Sequence, residues 1–195
     1  LAVGSVTAGA VRCFGSSYPS LATSIPDDAY YYLLPAYNVS RFGFFTFDGL
    51  NPTFGFQPLW GLLLAGLGAL CPDREVFLRL ALFSSELLHA GTAVLLGLGA
   101  WRLGGRPAGL VAPALFLGNV AFLRASTVGM ENALYGLLLV LNVVLVAPGA
   151  RSPSAARAAL HGCLIAVLPF ARLTPGSLAV TLALLFVAGR SLAGV

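Results

Sequence analysis

Val76-Phe-Leu-Arg-Leu-Ala-Leu-Phe-Ser-Ser-Glu-Leu-Leu-His-Ala-Gly-Thr-Ala-Val-Leu-Leu-Gly-Leu-Gly-Ala-Trp101 is the stretch whose reading decides the fold. Its 26 residues carry only Arg79, Glu86 and His89 as ionisable groups. A helix needs about 20 mainly apolar residues to cross the hydrocarbon core of a bilayer, and this run is long enough. Strands of a membrane barrel alternate in polarity, which this stretch does not. Backbone in lipid must satisfy its own hydrogen bonds, so the predicted conformation is a helix.

The same pattern recurs on the carboxy-terminal side. Residues 108–123, 133–147, 158–171 and 177–189 are apolar runs, separated by loops that hold arginine, proline and polar residues. On the amino-terminal side, residues 1–14 read as the tail of a first helix. The chain opens at Leu1 and closes at Val195 inside an apolar pattern, which reads as a fragment. The expected fold class is all-α, a polytopic transmembrane helical bundle forming a single transmembrane domain over 1–195. In that reading 1–14 ends the first helix. Residues 15–75 form a long first extracytoplasmic loop with juxtamembrane surface helices, and 76–195 supply about five transmembrane helices.

Composition agrees with a membrane solvent. The chain is 58% hydrophobic and only 9% charged, against about 25% charged in soluble domains. The net charge of +4 rests entirely on arginine, with no lysine. These arginines stand singly or in pairs between apolar runs, a pattern of membrane orientation rather than of a nucleic-acid surface. Cys13, Cys71 and Cys163 have neither metal-ligand nor CxxC spacing and read as small apolar residues.

Residues 57–71 decide the topology. As a full span they would put Arg102, Arg106, Arg151 and Arg157 outside, against the positive-inside rule. They would also put the Asp27–Asp28 loop and Glu131 on opposite faces. As a re-entrant or surface helix they leave those four arginines and Arg190 on the cytoplasmic face. Asp27, Asp28, Asp48, Glu131 and Arg172 then share the outer face. One change satisfies both constraints, and it is the expected arrangement.

The outer loop concentrates the polar chemistry. Ile25-Pro-Asp-Asp-Ala-Tyr-Tyr-Tyr-Leu33 sets two adjacent carboxylates beside three tyrosines. Asp27 and Asp28 can supply a general base, bind a divalent cation such as Mg or Mn through hard oxygens, or cap the helix that follows Pro26. A short helix is expected over Asp27 to Ser40, kinked or limited by Pro35. The aromatic residues from Tyr30 to Trp60 form a headgroup-level belt or a platform for sugar faces or a polyprenyl chain. Glu131 sits at a loop-to-helix junction, where the macrodipole favours an acid. An ionisable group at membrane depth is also a candidate functional group. Glu86 and His89, three residues apart, read as an internal pair. Arg172, beside a Pro-Gly break, is suited to gripping a phosphate or to snorkelling at the interface. Asn38-Val-Ser40 matches a glycosylation sequon, a tripeptide common by chance.

Taken together, Asp27-Asp-Ala-Tyr-Tyr-Tyr-Leu, Phe45-Thr-Phe-Asp-Gly, Asn51-Pro-Thr-Phe-Gly-Phe-Gln-Pro-Leu-Trp60, Gly129-Met-Glu131 and Ala171-Arg-Leu173 resemble the amino-terminal half of the GT-C-fold glycosyltransferases. The branch resembled uses polyprenyl-phosphate sugars and includes protein O-mannosyltransferases and aminoarabinose transferases. Gln57 stands where that family carries His, Thr174 where Asp is frequent, and Phe54 where Asn is frequent. The resemblance implies a multi-pass protein of a prokaryotic plasma membrane with an extracytoplasmic active site. Asp27 would be the catalytic carboxylate and Asp28 its helper or fellow metal ligand. Glu131, Arg172, Tyr31, Gln57 and Asp48 would bind substrate. Arg41, Arg79 or Arg124 would be further cations for the leaving phosphate. The implied partners are a lipid-linked sugar donor, an acceptor glycan, lipid or protein, and membrane lipid, with no nucleic acid. Two other classes fit the composition: a transporter or permease without catalysis, and a membrane assembly protein.

Overall fold

The computed structural model describes residues 1–71, 73–146 and 155–193, and these are mostly helical, with an isolated bridge between Thr46 and Pro52 in the loop that follows the third helix. The elements in order are α1 (Ala2–Gly15), α2 (Tyr18–Thr23), α3 (Asp27–Phe42), α4 (Pro58–Ala69), α5 (Arg74–Gly118), α6 (Val120–Ser126), α7 (Asn132–Val146), α8 (Ala155–Ala171) and α9 (Pro175–Ala193).

Local chemistry sets most of the boundaries. Asp27 and Asp28 lie in the first turn of α3, where the helix dipole favours negative charge. Gly43 ends α3 in the left-handed conformation, φ 79°, and its N–H reaches the Val39 carbonyl at 2.8 Å. Pro35 does not limit the helix as expected, because α3 continues to Phe42. The proline removes one hydrogen bond, while buried Leu33, Ala36 and Tyr37 hold the helix against the core. Pro58 opens α4 at its first turn. Asp73 caps α5 by accepting from the Val76 N–H at 2.8 Å. Thr174 and Ser177 exchange side-chain-to-backbone bonds at the start of α9, at 3.1 and 3.2 Å.

Among the described residues, α5 is the one helix long and apolar enough, by length and composition, to cross a membrane, with mean hydropathy 1.4. It is not one straight rod. Gly104 (φ −131°, ψ 16°) and Gly105 (φ 72°, ψ −168°) leave helical geometry between residues 74–103 and 106–118. A Cβ on Gly97 would meet the Gly109 carbonyl oxygen at 3.2 Å, so the second arm folds back along the first. The first arm alone is about 45 Å long at 1.5 Å per residue. Asn119 then interrupts the returning arm and caps α6 through Phe122 N–H. The expected single helix over 108–123 is therefore two pieces.

Side-chain contacts fix which ends meet. Arg79, near the start of α5, donates to the carbonyls of Cys13 and Ser16 at the end of α1. Arg12 in the last turn of α1 donates to the Thr127 carbonyl after α6. A Cβ on Gly129 would touch Leu82 and Leu33, and one on Gly99 would meet Val144 at 2.8 Å. The end of α1, the start of α5, the end of α6 and the start of α7 thus share one end of the structure. The Gly104–Gly105 turn, with Arg102 and Arg106, lies at the other.

Helix α4 stays at the first of these ends. Its Trp60 bonds to Gly129, and Gly68 packs within 3.5 Å of Tyr37, Ala36 and Phe77 if given a Cβ. Leu82 and Phe77, the levels on α5 that these two ends of α4 reach, are five residues apart, or about 7.5 Å. The buried core, including Trp60, Leu64, Leu33, Phe77 and Leu82, is concentrated here.

Candidate functional site

The site is built where four segments converge: α3, the amino end of α4, the 127–132 turn and residues 172–173. Gly129 makes the turn possible, since its φ of 85° lies in the left-handed region that favours glycine. Trp60 holds it there. The buried indole N–H donates to the Gly129 carbonyl at 2.9 Å. Loss of such a bond leaves a buried carbonyl unsatisfied, at a cost of about 1–3 kcal/mol.

Two residues beyond that turn, Glu131 is only 3% exposed. Its Oε1 lies 3.7 Å from the Arg172 guanidinium, while its Oε2 has no hydrogen-bond partner among the described residues. Arg172 also donates to the Asn132 side-chain oxygen, and Asn132 in turn donates to the Ala125 carbonyl at 2.9 Å. Gln57 accepts from the Leu173 N–H at 2.7 Å through Oε1, tying the start of α4 to the end of α8. The Tyr32 phenol is pushed above the ordinary tyrosine range, first by burial and then by the Glu131 carboxylate, with Asp28 adding to the shift and Arg172 opposing it. It therefore stays protonated and can act as a donor at neutral pH. The arrangement offers one buried carboxylate, one guanidinium that is partly exposed, and one neutral phenol in a common cluster. Such a set can take sugar hydroxyls or an anionic leaving group.

Of the sequence-based candidates, Glu131, Arg172 and Gln57 are brought together, and Asp28 is exposed with its charge reaching Tyr32. Asp28 lies one turn before Tyr32, on the same helix face. Asp27 acts instead on Tyr30, whose phenol is raised first by burial, then by Tyr18 and by Asp27. Tyr31 points away: it is 55% exposed and packs edge-on against Phe47 at 5.8 Å. Asp48 is committed to its own turn. Its carboxylate accepts from the Leu50 and Asn51 N–H groups at 2.8 Å and from the Thr46 and Asn51 side chains. Those bonds hold its pKa well below the usual carboxylate range, the Asn51 N–H contributing most.

Asp27 and Asp28 are consecutive on a helix, so their side chains diverge by about 100°. No group of three His, Cys, Asp or Glu side chains that could hold a metal occurs among the described residues. Asn38 is buried and donates to the Thr46 carbonyl at 2.8 Å, so its side chain is not presented for glycosylation.

Glu86 and His89 do not form the expected pair. Glu86 meets Arg12 of α1 at 3.1 Å, and His89 turns onto Phe116 of the returning arm with ring centroids 4.6 Å apart. Gly9 permits the first contact, because a Cβ there would meet Glu86 Cγ at 2.7 Å. Arg41 stacks 3.6 Å above the Tyr37 ring, and Arg79 pairs with Glu75 at 2.7 Å. Arg151 lies outside the described residues, as do the side chains of Arg157 and Arg190.

Tyr32, Asn132 and the Arg12–Glu86 pair were not singled out from sequence. Spacing could have found Tyr32, since it is four residues after Asp28. The other two depend on contacts between distant segments. Comparison with protein-family models, curated proteins and solved structures gave no match to this chain.

Proposed function

We propose that this chain carries the catalytic face of a multi-pass membrane glycosyltransferase. In this reading a sugar passes from a polyprenyl-phosphate donor to an acceptor hydroxyl on the extracytoplasmic side of a prokaryotic plasma membrane. The observation that carries the reading is the clustering of Glu131, Arg172 and Tyr32, with the Asp28 charge reaching Tyr32. Glu131 Oε2 meets no hydrogen-bond partner by geometry among the described residues, and the Tyr32 phenol is close enough for the Glu131 carboxylate to shift its ionisation.

Two further features support the membrane setting. Leu87, Val94 and Leu98 on the first arm of α5, with Leu110 and Leu115 on the second, are all more than 40% exposed. Soluble proteins rarely leave apolar surface of that extent open to water. Arg102 and Arg106 mark the turn at the opposite end from the Glu131–Arg172 cluster, as the positive-inside rule asks of a cytoplasmic loop.

The reaction is a single inverting displacement. The acceptor hydroxyl oxygen forms a bond to the anomeric carbon as the bond from that carbon to the lipid phosphate oxygen breaks. The hydroxyl proton passes to a carboxylate of the Asp27–Asp28 pair. Asp28 is the better placed, because its charge reaches Tyr32. The polyprenyl phosphate leaves with both bonding electrons, and Arg172 stabilises its growing charge. Glu131 and Tyr32 hold sugar hydroxyls as acceptor and donor. No step needs a metal ion.

Membranes bearing the protein, supplied with a polyprenyl-phosphate sugar and an acceptor extract, test this directly. Asp28→Asn is expected to lower transfer by at least about a hundredfold, the usual share of a general base, with insertion unchanged. Transfer at wild-type rate in both Asp28→Asn and Asp27→Asn would remove the pair from the mechanism.

A permease reading draws on a different observation, the pairing of the half-buried Arg12 with the buried Glu86 between α1 and α5. It predicts that Glu86→Gln abolishes solute uptake while Asp28→Asn is silent.

A further inference from the structure

A pocket of about 220 Å³ lies between one face of α3 and the first turns of α5. Tyr30, Leu34 and Tyr37 line it from α3, at the spacing that sets them on one helix face. Tyr32, whose phenol meets Glu131, leaves the same helix in another direction. Phe77 closes the floor from α5, with its ring 5.3 Å from that of Tyr37 and tilted by 36°. Both of these rings are buried. Tyr18 is exposed at the mouth, and Tyr30 is fixed there by donating its hydroxyl to the Ala22 carbonyl at 3.0 Å. Arg74 completes the lining, with its guanidinium 5.8 Å from the Tyr37 ring centroid. That is within reach of the ring's attraction for a cation. Arg74 is exposed and pairs with no carboxylate among the described residues. The acids next to it in sequence are spent elsewhere: Asp73 accepts from the Val76 N–H, and Glu75 holds Arg79. Asp27 acts at the Tyr30 end, ten residues before Tyr37, or about 15 Å along α3. Arg41, the other guanidinium on the Tyr37 ring, is committed to the Tyr37 carbonyl and hydroxyl. The pocket therefore offers one free cation beside a wall of rings.

We infer that this pocket binds a small aromatic monocarboxylate, with the carboxylate on Arg74 and the ring against Tyr30, Leu34 and Tyr37. One uncompensated guanidinium matches one negative charge, and its planar fork suits the two oxygens of a carboxylate. The tyrosine and phenylalanine faces select a flat apolar body, since aromatic pairs add to the gain from burial alone. The volume lies below the range of about 300–1,000 Å³ that holds drug-sized ligands. It has room for one ring and a short stem, and not for a lipid chain. The site is separate from the Glu131–Arg172 cluster, and it requires neither glycosyl transfer nor a bilayer.

The test is ligand-observed saturation-transfer NMR on the full chain in detergent, read against empty micelles, with three probes: 3-phenylpropanoate, its uncharged analogue 3-phenylpropanamide, and acetate. The acid is expected to bind saturably, with the transfer concentrated on its ring protons. The amide should bind about tenfold more weakly, and acetate should not displace the acid at matched concentration. Arg74→Gln should weaken the acid about tenfold, the scale of one charge-assisted hydrogen bond. Arg74→Lys should restore part of that loss, which separates lost charge from lost fold. Arg102→Gln, which removes the same charge at the distant turn, should change nothing. Equal affinity for acid and amide, or equal binding of the acid by Arg74→Gln and wild type, overturns the carboxylate's place on Arg74. Displacement by acetate overturns the need for a ring. A signal no greater than that of empty micelles overturns the site.

Discussion

Tyr32 shows how a single side chain ties the site together. A phenol buried beside a carboxylate resists ionisation, because a second negative charge there would be unscreened and close. The folded pKa is raised above the unfolded value of about 10. The stabilising contribution is thus fully present below that pH and is lost as pH rises through the folded value. In an alkaline titration followed by phenolate absorbance, part of the signal should lag beyond about pH 10, and Tyr32→Phe should shrink that late part. Tyr30, also raised, will keep some of it. An unchanged late fraction would mean Tyr32 is open to solvent. Sequence reading selected Tyr31 here. Three identical residues in a row carry no compositional sign of which one faces inward, but the four-residue spacing from Asp28 does. Glu131 and Arg172 were legible, because an isolated charge beside a helix end in an apolar chain stands out. Asn132 was not, since its role exists only once α7 and α8 are side by side. Asp48 was legible as a conspicuous acid but not as a turn-former, although Thr46 and Asn51 flank it at the spacing such a turn uses.

At the scale of elements, the Gly104–Gly105 turn does most to shape the molecule. Gly105 combines φ 72° with ψ −168°, a region essentially closed to residues with a Cβ. Gly105→Ala should therefore destabilise the protein by about 1–3 kcal/mol in a denaturation titration. Gly118→Ala is the control, since a Cβ there meets nothing within 4 Å, and it should be close to neutral. Equal effects of the two would mean that the hairpin is not held by this turn. The break was visible in Trp101-Arg-Leu-Gly-Gly-Arg-Pro107 because glycine, proline and charge interrupt a long apolar run. The split at Asn119 was not, because one polar residue in an apolar window leaves the helical period intact. Helix α2 escaped for the opposite reason: its six residues are too short to show a period. Pro35 predicted a kink or a limit to the helix, and tertiary packing overrides the limit. Burial of Leu33, Ala36 and Tyr37 outweighs one missing backbone bond.

For the whole molecule, the account depends on two groups of charges at opposite ends of the helices. Asp28, Glu131 and Arg172 gather where α1 ends and α7 begins, and Arg102 and Arg106 sit at the distant turn. Helix α4 keeps to the first end, with Leu62 and Leu63 exposed and Trp60 and Leu64 buried. The all-helical class and the long central helix could be read from the chain, because length and hydropathy suffice for both. How many helices cross a bilayer depends on their surroundings, which pattern alone does not contain. Cysteine accessibility in intact cells measures this most directly. Cys13 and Cys71 are buried and Cys163 is exposed, so Cys163→Ser supplies the background for Asp28→Cys, Leu173→Cys and Arg102→Cys. A membrane-impermeant thiol reagent is expected to label positions 28 and 173 from outside, and position 102 only after the membrane is opened. Labelling of 28 and 173 from opposite sides, or of 28 and 102 from the same side, would contradict the account.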